Sequence, residues 1–334
     1  MIQVFEITLL FLGSVIGAGF ATGAEIITFF GSINLPAWCI AIIVSLTMFG
    51  IIALEIILYY PKAYSKISIK VSHEKKLCKQ AFNLCSILVY FILFTAMTAG
   101  ITAITNSGFT LISLILSLVI VLFGFDKLSK LNIFLVLTII VLIISTALPW
   151  VSASNIANDK NTINWLHLFK GIFSAFLYAG LNCFMFPELI QAVGKKQTKK
   201  TLIGAAILTA SILMILVGLI LTTIQKAHTT TATVPLLAAA PNIITIIIIL
   251  LAILTSQYTA LFAITQRCQM LKFPDTKKNR PPLSMIGICL LAYAISFCGF
   301  NKIINFAYPL IGAFTCFFLI FSWLRSRFLH ETLQ

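Results

Sequence analysis

The residues with chemistry to offer lie inside apolar stretches. Residues 13–26 read GSVIGAGFATGAEI, and residues 171–189 read GIFSAFLYAGLNCFMFPEL. The first stretch sets Gly13, Gly17, Gly19 and Gly23 just ahead of an acid, Glu25. The second sets Tyr178, Gly180 and Asn182 ahead of Pro187 and Glu188. Glycine costs a helix about 1 kcal/mol relative to alanine, so each cluster favours an interruption. Backbone unwound inside a membrane must face a ligand, an ion or a watery cavity. The chemistry on offer is therefore noncovalent: backbone dipoles and buried acids holding a small polar solute. A close-packing face of small residues is the other reading of the first cluster.

A third constellation comes from spacing alone. Ala252, Thr255, Ser256 and Thr259 fall within about 100° on one helix face. They offer carbonyl and hydroxyl oxygens near mid-span; the alternative is that the hydroxyls bond back to their own helix. Thr95, Thr98, Thr102 and Thr105 form another polar stripe, which fits pore lining and helix packing equally. Among the acids, Glu25 reads as a gate or a partner for a substrate ammonium, or else as a snorkelling side chain. Glu188 has Lys195 and Lys196 within reach, and Glu6 and Glu55 are expected to be solvated or paired near an interface.

The elements that must position these residues are apolar helices. Of the 334 residues, 60% are hydrophobic and only 10% are charged, against roughly a quarter charged in soluble domains. Runs long enough to cross a bilayer of about 30 Å lie near 5–29, 36–60, 82–105, 108–125, 131–149, 168–190, 202–224, 242–265, 283–300 and 303–324. This predicts an all-α membrane protein of about ten spans and one transmembrane domain over 1–334. With the N-terminus inside, only Lys160, Lys170, Lys226 and Lys302 of the 23 basic residues fall outside. That is a strong positive-inside bias, and it places both termini on the cytoplasmic side. The net charge of +14 then reflects topology and anionic lipid rather than nucleic-acid binding. The first span lacks the basic start and cleavage site of a signal peptide.

The glycine-containing spans are the first and sixth, and they cross in opposite directions. That order predicts two inverted five-helix repeats, about 1–150 and 165–325, each opening with a discontinuous helix. The arrangement resembles the LeuT fold of the amino acid–polyamine–organocation superfamily. The GAGFATGAE stretch resembles the bacterial YkvI family of membrane proteins, with Ala24 where that family usually has glutamine. Sodium-coupled members of the fold carry G-x-x-V-G-x-G in the first helix and A-x-L-T-S in the eighth. Here Gly13, Ile16, Gly17 and Gly19 are similar to the first motif, and Ala252, Leu254, Thr255 and Ser256 to the second.

The resemblance implies a sodium ion held by Gly13, Ile16, Ala252, Thr255 and Ser256. A second sodium site, which in some relatives needs Asn after the last glycine, is not expected, because Phe20 stands there. It further implies substrate contacts at Ala18, Gly19, Tyr178, Gly180 and Asn182, with Glu25 and Glu188 as gating or coupling acids. The implied activity is sodium symport of a small solute such as an amino acid or amine, in a bacterial cytoplasmic membrane. The alternatives are a proton-coupled transporter and a nutrient sensor of the germinant-receptor type.

Other chemistry finds no motif. HExxH, GxSxG, P-loop and CxxC patterns are missing from the sequence, so an enzyme is not expected. The four histidines and eight cysteines suggest no metal or disulfide framework, and no cofactor is expected beyond the coupling ion.

Overall fold

The computed structural model describes residues 2–60, 75–122, 125–152, 164–232, 234–270 and 283–331. Among the described residues every regular element is a helix. In chain order these are α1 (Ile2–Val15), α2 (Ala18–Thr22), α3 (Ala24–Phe30), α4 (Ala37–Tyr59), α5 (Lys75–Ile104), α6 (Ser107–Leu122) and α7 (Phe125–Ser152). They continue with α8 (Trp165–Cys183), α9 (Phe186–Gly194), α10 (Lys199–Lys226), α11 (Pro235–Ala239), α12 (Ile243–Met270), α13 (Leu283–Ser296) and α14 (Phe300–Glu331).

Among the described residues, six stretches are long and apolar enough to cross a bilayer: Ala37–Tyr59, Asn83–Ile104, Lys130–Val151, Lys199–Lys226, Ile243–Cys268 and Phe300–Leu324. Gln3–Val15, Ser107–Leu122 and Met285–Ser296 are apolar but shorter. Large side chains such as Leu46, Ile112, Phe134, Phe169 and Phe317 point outward. With few charges to cover it, that surface matches hydrocarbon rather than water.

Two groups of helices enclose the core. In one, α4 packs on α8 and α10, and α1 on α10; in the other, α5 packs on α12 and α13. The short helices lie between them: α2 meets α5 and α12, while α3 meets α8 and α14. The broken first segment therefore occupies the junction of the groups.

Local sequence explains the breaks. Ile16 and Gly17 lie outside helix, and Gly17 is extended at φ −108°, ψ −171°. Gly23 takes φ 77°, a left-handed conformation that costs glycine little and other residues more. Between α8 and α9, Phe184 and Met185 form a turn. Pro187 then sits in the first turn of α9, where its missing N–H is no loss. The second interruption thus falls after Asn182 and Cys183. Gly180 itself lies in continuous helix, contrary to the expected unwinding there. A Cβ on Gly180 would come within 2.6 Å of both the Gly312 carbonyl oxygen and Cys316 Sγ. Gly312 faces the Leu177 carbonyl in turn. This glycine pair lets α8 and α14 touch backbone to backbone.

Candidate functional site

A small cavity lies where the two interruptions approach each other. Its lining includes Gly13, Gly17, Glu25, Asn182, Ser256 and Tyr308, drawn from six elements or their junctions. At about 40 Å³ it has room for an ion or a water. An amino acid would need the walls to part.

Glu25 opens α3 and is only 3% exposed. Its Oε1 accepts a hydrogen bond from Asn182 Nδ2 at 2.8 Å, and the same amide group donates to the Tyr178 carbonyl at 3.0 Å. Gly19 makes room for this acid: a Cβ there would lie 2.7 Å from Glu25 Oε2 and 3.2 Å from Tyr308 Cε2. The Tyr308 and Tyr178 hydroxyls are buried without a hydrogen-bond partner. Buried polar groups are seldom left so. Tyr308 lines the cavity, whereas Tyr178 packs its ring between Phe29 and Phe30 at centroid distances of 5.6 Å.

The residues expected to hold an ion are partly brought together. Ser256 Oγ sits 3.3 Å from the Ile16 carbonyl oxygen and 3.0 Å from that of Ala252. This bridges the first interruption to α12. Gly17 allows the approach, since a Cβ on it would lie 3.0 Å from Ser256 Oγ. The Thr255 hydroxyl donates back to Ala252 at 2.8 Å, the local bond its residue type favours. Gly13 packs directly against the Asn132 side-chain amide, whose oxygen accepts from the Tyr258 hydroxyl at 3.3 Å. The Ala18 amide donates to Met97 Sδ at 3.2 Å, a weak acceptor. Glu188 lies on α9, but its side chain is outside the described residues.

Several polar residues were passed over in the sequence. Asn132 is one, and Gln257 another: it donates to Thr98 Oγ1 at 3.2 Å and accepts from Ser117 at 3.1 Å. These bonds tie α12 to α5 and α6. An amide inside an apolar span is the signal that would have found both. In the threonine stripe, Thr95, Thr98, Thr102 and Thr105 each donate to a carbonyl of their own helix, and Thr98 also accepts from Gln257. Glu55 departs most from expectation. It is fully buried in α4, and neither carboxyl oxygen has a hydrogen-bond partner.

Among the described residues, apolar helices of spanning length and outward-facing hydrophobic side chains define an all-α, multi-pass membrane protein. The chain matches no protein-family model and no curated protein.

Proposed function

We propose that this protein is an ion-coupled secondary transporter for a small amine or amino acid. In this reading it crosses a bacterial cytoplasmic membrane ten times, with both termini cytoplasmic. It uses the YkvI-like, LeuT-type pair of inverted repeats. The observation that carries the reading is the Glu25–Asn182 hydrogen bond, which places a buried acid and amide at the meeting of two interrupted segments. An acid kept in the interior of a membrane protein is a functional group by default. Glu25, Asn182 and the unpartnered Tyr308 hydroxyl present acceptors to a substrate ammonium. The carbonyls of Ile16 and Ala252 and the Ser256 hydroxyl supply oxygens to a coupling sodium ion. Such hard donors at a compact spacing suit a hard cation. The closed cavity fits an occluded state, with exchange requiring the two helix groups to separate.

Proton coupling is a second reading, favoured by Glu25 and Glu55 as fully enclosed acids. Uptake of radiolabelled amino acids and amines into proteoliposomes, under an imposed sodium gradient and then an imposed pH gradient, tests both. Sodium-driven accumulation supports the first reading and accumulation driven by pH alone the second. Saturable binding with no flux under either gradient overturns transport in favour of sensing.

A further inference from the structure

A second concavity, separate from the central cavity, opens sideways between α5, α13 and α14. It encloses about 660 Å³ and is walled by carbon, with Val89, Ile92, Ile303, Phe306, Ala307 and Phe314 among its lining. Thr95 borders it, but its hydroxyl is committed to Phe91 O at 2.8 Å. The walls therefore ask for no hydrogen bond. At one end stands Lys302, exposed on the first turn of α14. The acids whose side chains are described are Glu6, Glu25 and Glu55, and none of them pairs with it. From Lys302 to Phe314 the helix rises about 18 Å, close to the roughly 15 Å half-thickness of a bilayer's hydrocarbon.

An occupant must be apolar along about one leaflet's depth and carry an anion at the lysine end. We propose that this groove seats an anionic phospholipid, with an acyl chain along α14 and its phosphate at the Lys302 ammonium. The ligand chemistry follows from the groove and the charge together; neither the transport reading nor the membrane orientation enters it. The same helix presents Tyr308 to the central cavity from its other side. Pro309 removes the α14 hydrogen bond that would end on the Asn305 carbonyl. A lipid against Ala307 and Leu310 thus buttresses α14 where its own backbone is weakest.

The test uses the full chain purified in uncharged detergent, exposed to equal phosphatidylglycerol and phosphatidylcholine, with retained lipid counted by native mass spectrometry. The expected result is preferential retention of phosphatidylglycerol. Lys302→Gln should lower that preference about fivefold, the effect of one basic group at a lipid surface. Lys170→Gln, an exposed lysine on α8, should leave the preference unchanged. Ala307→Trp, which fills the groove, should reduce retention of both lipids. Equal retention of the two lipids by the parent overturns the proposal. So does an equal effect of the two lysine variants, which would mark a diffuse surface potential. A dimer that Lys302→Gln leaves intact and Ala307→Trp dissociates would assign the groove to a second copy instead.

Discussion

Asn182 Nδ2 donates to Glu25 Oε1 at 2.8 Å, across 157 residues of chain. The bond fixes α8 against the start of α3 and leaves the rest of the carboxyl group toward Gly19 and Tyr308. Its partners come from the two glycine-containing stretches that stand out in the sequence, so the long-range contact and the local irregularity report on the same place.

Breaking that bond should be measurable in both stability and binding. Asn182→Ala and Glu25→Ala are each expected to destabilise the protein in detergent by about 1–3 kcal/mol, because a buried partner loses its hydrogen bond. The double variant should cost less than the sum, with a coupling of about 0.5–3 kcal/mol for groups in contact. Strict additivity in thermal or denaturant unfolding would mean that the two side chains do not interact.

Gly19 offers a sharper contrast. Its Cβ would meet Glu25 Cβ at 2.9 Å and Oε2 at 2.7 Å, whereas a Cβ on Gly204 finds its nearest neighbour, Val4, at 3.7 Å. Gly204→Ala should be neutral or stabilise by up to about 1 kcal/mol through helix propensity. Gly19→Ala should destabilise by about 1–3 kcal/mol through overpacking and should abolish substrate binding. Equal thermal shifts for the two variants would show that Gly19 has space to spare.

Glu55 invites the opposite experiment. An unpartnered carboxyl group in the core is a stability cost, so Glu55→Leu should raise the unfolding temperature, by an amount corresponding to about 1–3 kcal/mol. If Glu55 carries protons, the stabilised variant will have lost pH-driven uptake while keeping its fold. A lower unfolding temperature would show that the acid has a partner its surroundings supply.

Much of this arrangement was legible in the chain, and the failures are informative. The apolar runs, the glycine cluster and Glu25 stand out because a membrane tolerates few charges and few helix breakers. Gly180 misled: the glycine serves contact with Gly312, while Pro187 marks the real interruption just upstream of it. A glycine that allows close packing and one that allows unwinding look alike until the neighbour is known. Glu55 misled differently. It stands four residues before Tyr59 and close to a lysine-rich stretch, which suggests an interface. It is buried, and the helices that pack on α4, among them α8 and α10, are far away in sequence.

The proposed coupling ion can be tested through the α12 hydroxyls. Ser256 Oγ lies between the carbonyl oxygens of Ile16 and Ala252, at 3.3 and 3.0 Å, so it is the hydroxyl that joins the two halves of the proposed site. Thr255 bonds only within its own helix, to Ala252 at 2.8 Å. Ser256→Ala should therefore weaken apparent sodium affinity more than Thr255→Val does. Loss of one oxygen ligand is worth about 1–3 kcal/mol, which is roughly five- to 150-fold in affinity. Because coupling is reciprocal, substrate affinity at fixed sodium should fall in step. A control variant should point away from the site without disturbing the packing; Gln257 does point away, but it is buried and bonded to Thr98 and Ser117. Ser211→Ala serves better: it is exposed, and its hydroxyl bonds only to Ile207 at 2.9 Å. Sodium titrations of substrate binding for the parent and the three variants decide the matter. If Ser256→Ala and Ser211→Ala titrate alike, the oxygens around the first interruption hold no sodium.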